Sequence, residues 1–209
     1  AQVRFPIERS PSGTTDMKLV FATGNRGKLS EAQEILGPEY ELVTPSDLGL
    51  DDDVEETGST LSENSLIKAK ALWDAAHLDC FADDTGLEVD CLGGAPGVYT
   101  ARYAGPDCNF DDNMEKLLAE MAKVGGPRTA RFRCVVTLIR GGEIRQFDGC
   151  LEGEIALHRE GRQGFGYDPV FIPREYPDHT LAEISASQKN AISHRGAALR
   201  LMAKLLKAE

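Results

Sequence analysis

Residues 19–36 constrain the fold more than any other part of the chain. An apolar run of Leu19, Val20, Phe21 and Ala22 passes into Thr23-Gly24-Asn25-Arg26-Gly27-Lys28, after which Leu29, Ala32, Ile35 and Leu36 recur at helical spacing. Strand, turn and helix therefore follow in order. The alternation continues downstream, with strands expected at 18–23, 41–45 and 79–83 and helices at 29–37, 60–77 and 111–123, the last ended by Gly125-Gly126-Pro127. Residues 129–139 are β-rich, Gly141-Gly142 reads as a hairpin turn, and the stretch to about residue 155 is again strand-like, so an antiparallel portion joins the sheet. Alternation of this kind specifies an α/β protein.

With 209 residues, 41% of them hydrophobic, the chain can bury one sizeable core and divide into two lobes, but hardly into two independent domains. Its 34 acidic residues against 23 basic ones give a net charge of −11, which lacks the basic footprint of a duplex nucleic-acid binder. Cys80, Cys91, Cys108, Cys134 and Cys150 are odd in number and lack CxxC spacing, which suggests reduced, mostly buried thiols in a cytoplasmic protein and no zinc cluster. No stretch is apolar and long enough to span a membrane. Residues 1–16 have no continuous apolar core and precede Met17; they read as a disordered leader or appended remnant, leaving 17–209 as one domain.

Four segments carry side chains suited to an anionic ligand. The turn at 23–28 combines helix-start N–H groups with glycines that let the backbone approach closely, and Lys28 adds a full charge. It is not a P-loop, which would need Gly at 22 and Ser or Thr at 29, where the chain has Ala22 and Leu29. The plain alternative is a strand-to-helix turn with an incidental lysine. Asp83 and Asp84 sit at the expected exit of a strand, ahead of a glycine-rich loop; strand neighbours face opposite ways, so only one readily points at a given ligand. An Asp-rich turn would use the same residues. Phe165-Gly166-Tyr167-Asp168 offers two aromatics for stacking a base or, alternatively, for plugging a core. Lys189, Ser193, His194 and Arg195 crowd together just before a helix whose apolar side reads Ala197, Leu201, Met202 and Leu205. Ser193 reads as its cap, and cations there are unfavourable unless an anion is near.

TGNRGK at 23–28, EETGSTLSENSLIKA at 55–69, DDTGLEVDCLGGAPGVYTARYAG at 83–105, GFGYDPVF at 164–171 and KNAISHRG at 189–196 occur in an order and spacing that resemble the inosine triphosphate pyrophosphatase family, hydrolases of non-standard purine nucleoside triphosphates. The resemblance covers nearly everything from residue 17 onward. It implies a long twisted mixed sheet with helices on both sides, two lobes with the active-site cleft between them, and a homodimer. It also implies Mg²⁺-dependent conversion of ITP, dITP and XTP to monophosphate and pyrophosphate, which clears damaged purines from the nucleotide pool. The matching motifs make Asp84 the base and a metal ligand and Glu55 a second ligand. They put Thr23, Gly24, Asn25, Arg26, Gly27, Lys28, Thr85 and Lys189 on the substrate's phosphates and sugar. Phe165, Gly166, Tyr167 and Asp168, with His194 and Arg195, form the base pocket. Thr85 stands where many members have Ser, and a hydroxyl remains.

By residue chemistry alone, Lys28, Lys68 and Lys189 with a divalent cation can offset the charge of a triphosphate, and hard phosphate oxygens select Mg²⁺, which takes one or two carboxylates. Glu55 or Glu56, ahead of Thr57-Gly58, and Asp84 are the candidates, and one of them can deprotonate an attacking water. Arg195 only donates hydrogen bonds and His194 can donate, so a pocket built from them suits a 6-keto purine. Adenine would leave buried donors unpaired at about 1–3 kcal/mol each. Guanine carries the same 6-keto group, and nothing in the sequence accounts for its exclusion.

Overall fold

The computed structural model describes residues 17–51 and 53–208; the stretch read as a leader, 1–16, lies outside the described residues. The elements in chain order are β1 (Met17–Phe21), α1 (Arg26–Leu36), β2 (Tyr40–Val43), α2 (Leu61–Ala76), β3 (Cys80–Val89), β4 (Pro96–Gly97), α3 (Phe110–Val124), β5 (Thr129–Arg140), β6 (Glu143–Ile155), β7 (Phe171–Pro173), α4 (Ala186–Ile192) and α5 (His194–Ala208). The strands form one sheet in the order β2-β1-β3-β5-β6-β7, with β4 paired to β3. Strand–helix–strand connections make β1 parallel to both β2 and β3, with Leu19 opposite Leu42 and Val20 opposite Cys80. β4 and β7 run antiparallel to β3 and β6, so the sheet is mixed and the α/β expectation holds. Gly141 and Gly142 join β5 to β6 at φ 56° and 88°, the positive values that a two-residue type I′ turn needs.

Four local differences from the sequence reading have physical causes. β3 does not stop at residue 83 but continues to Val89, so Asp83 and Asp84 lie inside it; Asp and Gly are poor strand formers, but here they are buried between a segment paired with β1 at Cys80 and Phe81 and one paired with β4 at Leu87 and Glu88. α1 starts three residues early because Asn25 caps it. α4 was not foreseen, although Ser185 and Gln188 form a reciprocal capping box at its start. α5 buries Ala198, Leu199, Met202 and Leu206, whereas Leu201 is half exposed, so its apolar stripe is rotated from the expected one.

The described residues divide into two compact units, one within 17–84, 135–147 and 198–208, the other of 85–134 and 148–197. In the first, α2 lays Ala69 and Leu72 on Val20, Cys80, Ala82 and Ile139. In the second, α3 contributes Met114, Leu117 and Met121 to a core with Leu87, Leu151 and Phe171. All five cysteines are free thiols, but only Cys80 and Cys134 are buried, fewer than expected. Among the described residues no helix is long and apolar enough to cross a membrane.

Candidate active site

Each unit holds one cluster of the expected side chains. In the first, β1 ends at Phe21 and the chain turns through Thr23-Gly24-Asn25 into α1. Thr23 Oγ1 accepts from the Asn25 N–H at 3.0 Å and Asn25 Oδ1 from the Lys28 N–H at 3.1 Å, so the turn is held by its own side chains and sets Lys28 in the first helical turn. Lys28 Nζ donates to Asp83 Oδ1 at 3.0 Å. Gly24 and Arg26 are exposed and Gly27 is half-buried; Arg26 lines an open depression of about 700 Å³ along α1.

Asp83 and Asp84 divide as strand alternation demands. Asp83 pairs with Lys28, while Asp84 pairs with Lys68 of α2 at 3.4 Å, and Lys68 also reaches Glu56 at 3.0 Å. Glu55 is exposed, so the carboxylate that joins Lys68 and Asp84 is Glu56. Both aspartates are buried, at 1% and 6% exposure. Burial pushes the Asp84 carboxyl from 3.8 up to about 6, with Lys68 and Lys28 opposing the rise and Glu56 and Asp83 adding to it. Burial also works against the Lys68 ammonium, but Asp84, Asp83 and Glu56 outweigh it and hold its pKa above the ordinary value. The two partners thus disagree about their own ion pair, one shift favouring its cation and the other disfavouring its anion. The charge inventory resolves this: three carboxylates share two ammonium groups, and Asp84, at the longest of the three contacts, is the least compensated. Its Oδ2 is buried with no hydrogen-bond partner.

In the second unit, Thr85 Oγ1 accepts from Arg195 Nη2 at 3.3 Å. His194 and Arg195 open α5, where Ser193 Oγ accepts the Gly196 N–H at 2.9 Å as the expected cap. Both are buried, and His194 stacks on Phe132 with ring centroids 4.8 Å apart and planes at 13°. Lys189 is not at a helix start; it lies in the last turn of α4, where a cation is favoured, and its Nζ donates to Asp168 Oδ2 at 2.5 Å with both side chains 6% exposed. The same oxygen accepts the Phe165 N–H at 3.0 Å. The Phe165 ring lies 4.6 Å from Lys189 Nζ and 5.9 Å from the Arg195 guanidinium, so one half-buried aromatic ring meets two cations. Gly166, at φ 63°, turns the chain between the two aromatics. Tyr167 goes into the core instead, its hydroxyl donating to the Thr100 carbonyl at 2.8 Å, and burial raises its pKa.

Phe132 and Asn64 were not anticipated. Phe132 sits in a β-rich run with no signal beyond its apolarity, whereas Asn64 had one: it stands four residues before Lys68, on the same face of α2.

A family model described as the Ham1 family matches residues 19–205. A dITP/XTP pyrophosphatase of Christiangramia forsetii is 47% identical over 190 residues, covering 91% of this chain and 99% of the relative. One from Bacillus subtilis is 45% identical over 192 residues, with 90% and 96% covered. Of solved structures, the Staphylococcus aureus Ham1 protein matches with a TM-score of 0.81 at 41% identity, covering 91% of this chain and 98% of that one. A HAM1 protein from Coxiella burnetii gives 0.83 at 37% identity, covering 92% and 100%. Likeness at this level over nearly the whole of each chain leaves one placement: the chain belongs to the Ham1 family.

Proposed function

We propose that this protein hydrolyses non-standard purine nucleoside triphosphates, namely dITP, ITP and XTP, to the monophosphate and pyrophosphate with Mg²⁺. The names of the relatives support the substrate class. The observation that carries the chemistry is the buried, unpartnered Oδ2 of Asp84 beside Glu56 and Lys68.

These residues fit Mg²⁺. Asp83, Asp84 and Glu56 against Lys28 and Lys68 leave one surplus negative charge, and the free donor atom is a hard carboxylate oxygen. Mg²⁺ takes one or two carboxylates and otherwise water and phosphate, so Asp84 and Glu56 suffice. Asp84 and Glu56, rather than the exposed Glu55, would hold it, and when bound it supplies Lewis-acid charge to the phosphates. Asp84 accepts a proton from the attacking water as the water oxygen bonds to the α-phosphorus; the α–β bridging bond breaks and pyrophosphate leaves with its electron pair. Lys28 and Lys68 offset the charge that develops on it. The Phe165 face stacks the purine, Arg195 and His194 donate to its 6-keto oxygen, and Lys189 holds the Phe165–Asp168 turn through Asp168. A homodimer in the cytoplasm follows from the family resemblance, and light scattering on the purified protein checks the dimer.

A panel of nucleoside triphosphates assayed with Mg²⁺, with products identified, tests the reading. Turnover of dITP, ITP and XTP to monophosphate and pyrophosphate is expected, with none in excess EDTA. Preference for ATP would sink the base assignment, diphosphate and phosphate as products would sink the site of attack, and tight binding without turnover would make this a nucleotide-binding protein.

Lys28→Ala should lose at least tenfold in kcat/KM, roughly 1.4 kcal/mol of transition-state stabilisation. Because Lys28 also pairs with the buried Asp83, its melting temperature should fall as well, which a purely phosphate-facing lysine would not require. An unchanged kcat/KM would return this lysine to a structural role.

A further inference from the structure

We propose that Asn64 is a positioning residue for the carboxylate pair: its side-chain amide fixes the loop at 55–58 on α2 and so sets Glu56 against Lys68 and Asp84. This rests on the reading of Glu56 and Asp84 as the Mg²⁺ carboxylates.

Asn64 is fully buried, one turn ahead of Lys68 on α2. Its Oδ1 accepts the Gly58 N–H at 2.8 Å. The residues between are closed onto the helix by Thr60 Oγ1, which accepts the Glu63 N–H at 3.1 Å, and by Glu63 Oε2, which accepts the Ser59 N–H at 2.7 Å. Gly58 has no room for a side chain, since a Cβ there would lie 2.6 Å from Asn64 Oδ1 and 2.7 Å from Glu63 Cβ. The loop is thus held to one helix face at two points, its main chain by Asn64 at Gly58 and its side chain by Lys68 at Glu56. Two points two residues apart define where a carboxylate lies; Lys68 alone, on a long stem, would not.

The other end of the amide shows that packing alone does not call for asparagine here. Asn64 Nδ2 is buried with no hydrogen-bond partner, a cost that leucine, of similar size, would avoid. What the amide adds is the directed bond to Gly58.

Asn64→Leu removes that bond from the helix side, and Gly58→Ala forces the loop off the same contact while leaving the amide in place. Mn²⁺ affinity measured calorimetrically without nucleotide, melting temperature, and kcat and KM for dITP are the readouts. Each variant should bind Mn²⁺ about tenfold more weakly, the low end of what outer-shell changes cost metal sites. The Mg²⁺ concentration for half-maximal activity should rise in step, with kcat at saturating Mg²⁺ changing less and Asn64→Leu melting within a few degrees of wild type. The double variant should be no worse than the worse single one, because both break one contact. Mn²⁺ affinity within twofold of wild type in the folded variants, or losses that multiply, overturns the inference. A wild type that neither hydrolyses dITP nor binds Mn²⁺ would instead overturn the functional reading beneath it.

Discussion

Asp84→Asn is expected to lose about 10² or more in turnover and at the same time to melt higher at neutral pH. The substitution keeps the shape but removes what the proposed mechanism uses as base and metal-ligand charge, and general-base loss usually has that size. The gain in stability follows from the shifted carboxyl. Its folded pKa is raised from 3.8 to about 6, so ionised Asp84 is a burden on the fold that is absent below about pH 4, grows between 4 and 6, and is fully present above 6. A shift of about two units corresponds to roughly 2–3 kcal/mol, or about 5–10 °C in a chain of this size. Thermal melts of both proteins at pH 4 and pH 8 check this: the two should converge in acid and separate above pH 6. The same titration gives wild-type kcat/KM an acid limb near pH 6 that moves lower as Mg²⁺ is raised, because a bound cation favours the carboxylate. Asp83→Asn should do the reverse to stability, since it breaks the pair with Lys28. Should Asp83→Asn abolish activity in a folded protein while Asp84→Asn spares it, the two roles are exchanged.

Asp168→Ala is expected to destabilise the protein by about 3–5 kcal/mol, because it removes the carboxylate paired with the Lys189 ammonium in a site where both side chains are 6% exposed. At roughly 2–4 °C per kcal/mol the melting temperature should fall by about 10 °C. The loss also frees the Phe165 N–H from its acceptor. Replacing both partners, as Asp168→Leu with Lys189→Met, should recover part of the loss, since two apolar side chains leave no unpaired charge. Denaturant titration separates these variants; a single-variant loss below about 1 kcal/mol would mean that water reaches the pair.

Elements whose evidence is local and periodic were legible in the sequence. β1, α1 and α2 lie within three residues of where apolar spacing put them, and the Gly141-Gly142 turn is where two glycines interrupt a β-rich run. β3 runs on past Asp83 because the Asp-Thr-Gly stretch, which suits a turn in isolation, lies between segments paired with β1 at Cys80 and Phe81 and with β4 at Leu87 and Glu88. The site was legible as a set of motifs. Its pairing was not: that Asp83 goes to α1 and Asp84 to α2, that Glu56 rather than Glu55 reaches Lys68, and that Lys189 is bound to Asp168 are outcomes of tertiary packing. Tyr167 and Phe165 are equally suited to stacking by sequence, and only tertiary packing, with the bond to Thr100, makes Tyr167 a core residue and leaves Phe165 half-buried.

The lysines and carboxylates around Asp84 all belong to one compact unit, and Thr85, Phe165, Asp168, Lys189, His194 and Arg195 all belong to the other. Selection can therefore act on the two sets as separate traits. If Phe165, His194 and Arg195 hold the base as proposed, drift among them is expected to show as changes in KM across a substrate panel, with metal affinity left constant. If Asp84 and Glu56 hold the metal as proposed, drift in the first set is expected to move the hydrolytic step and metal affinity together for every substrate alike. On that reading, a library confined to the second set is where a laboratory search for new base preference should begin.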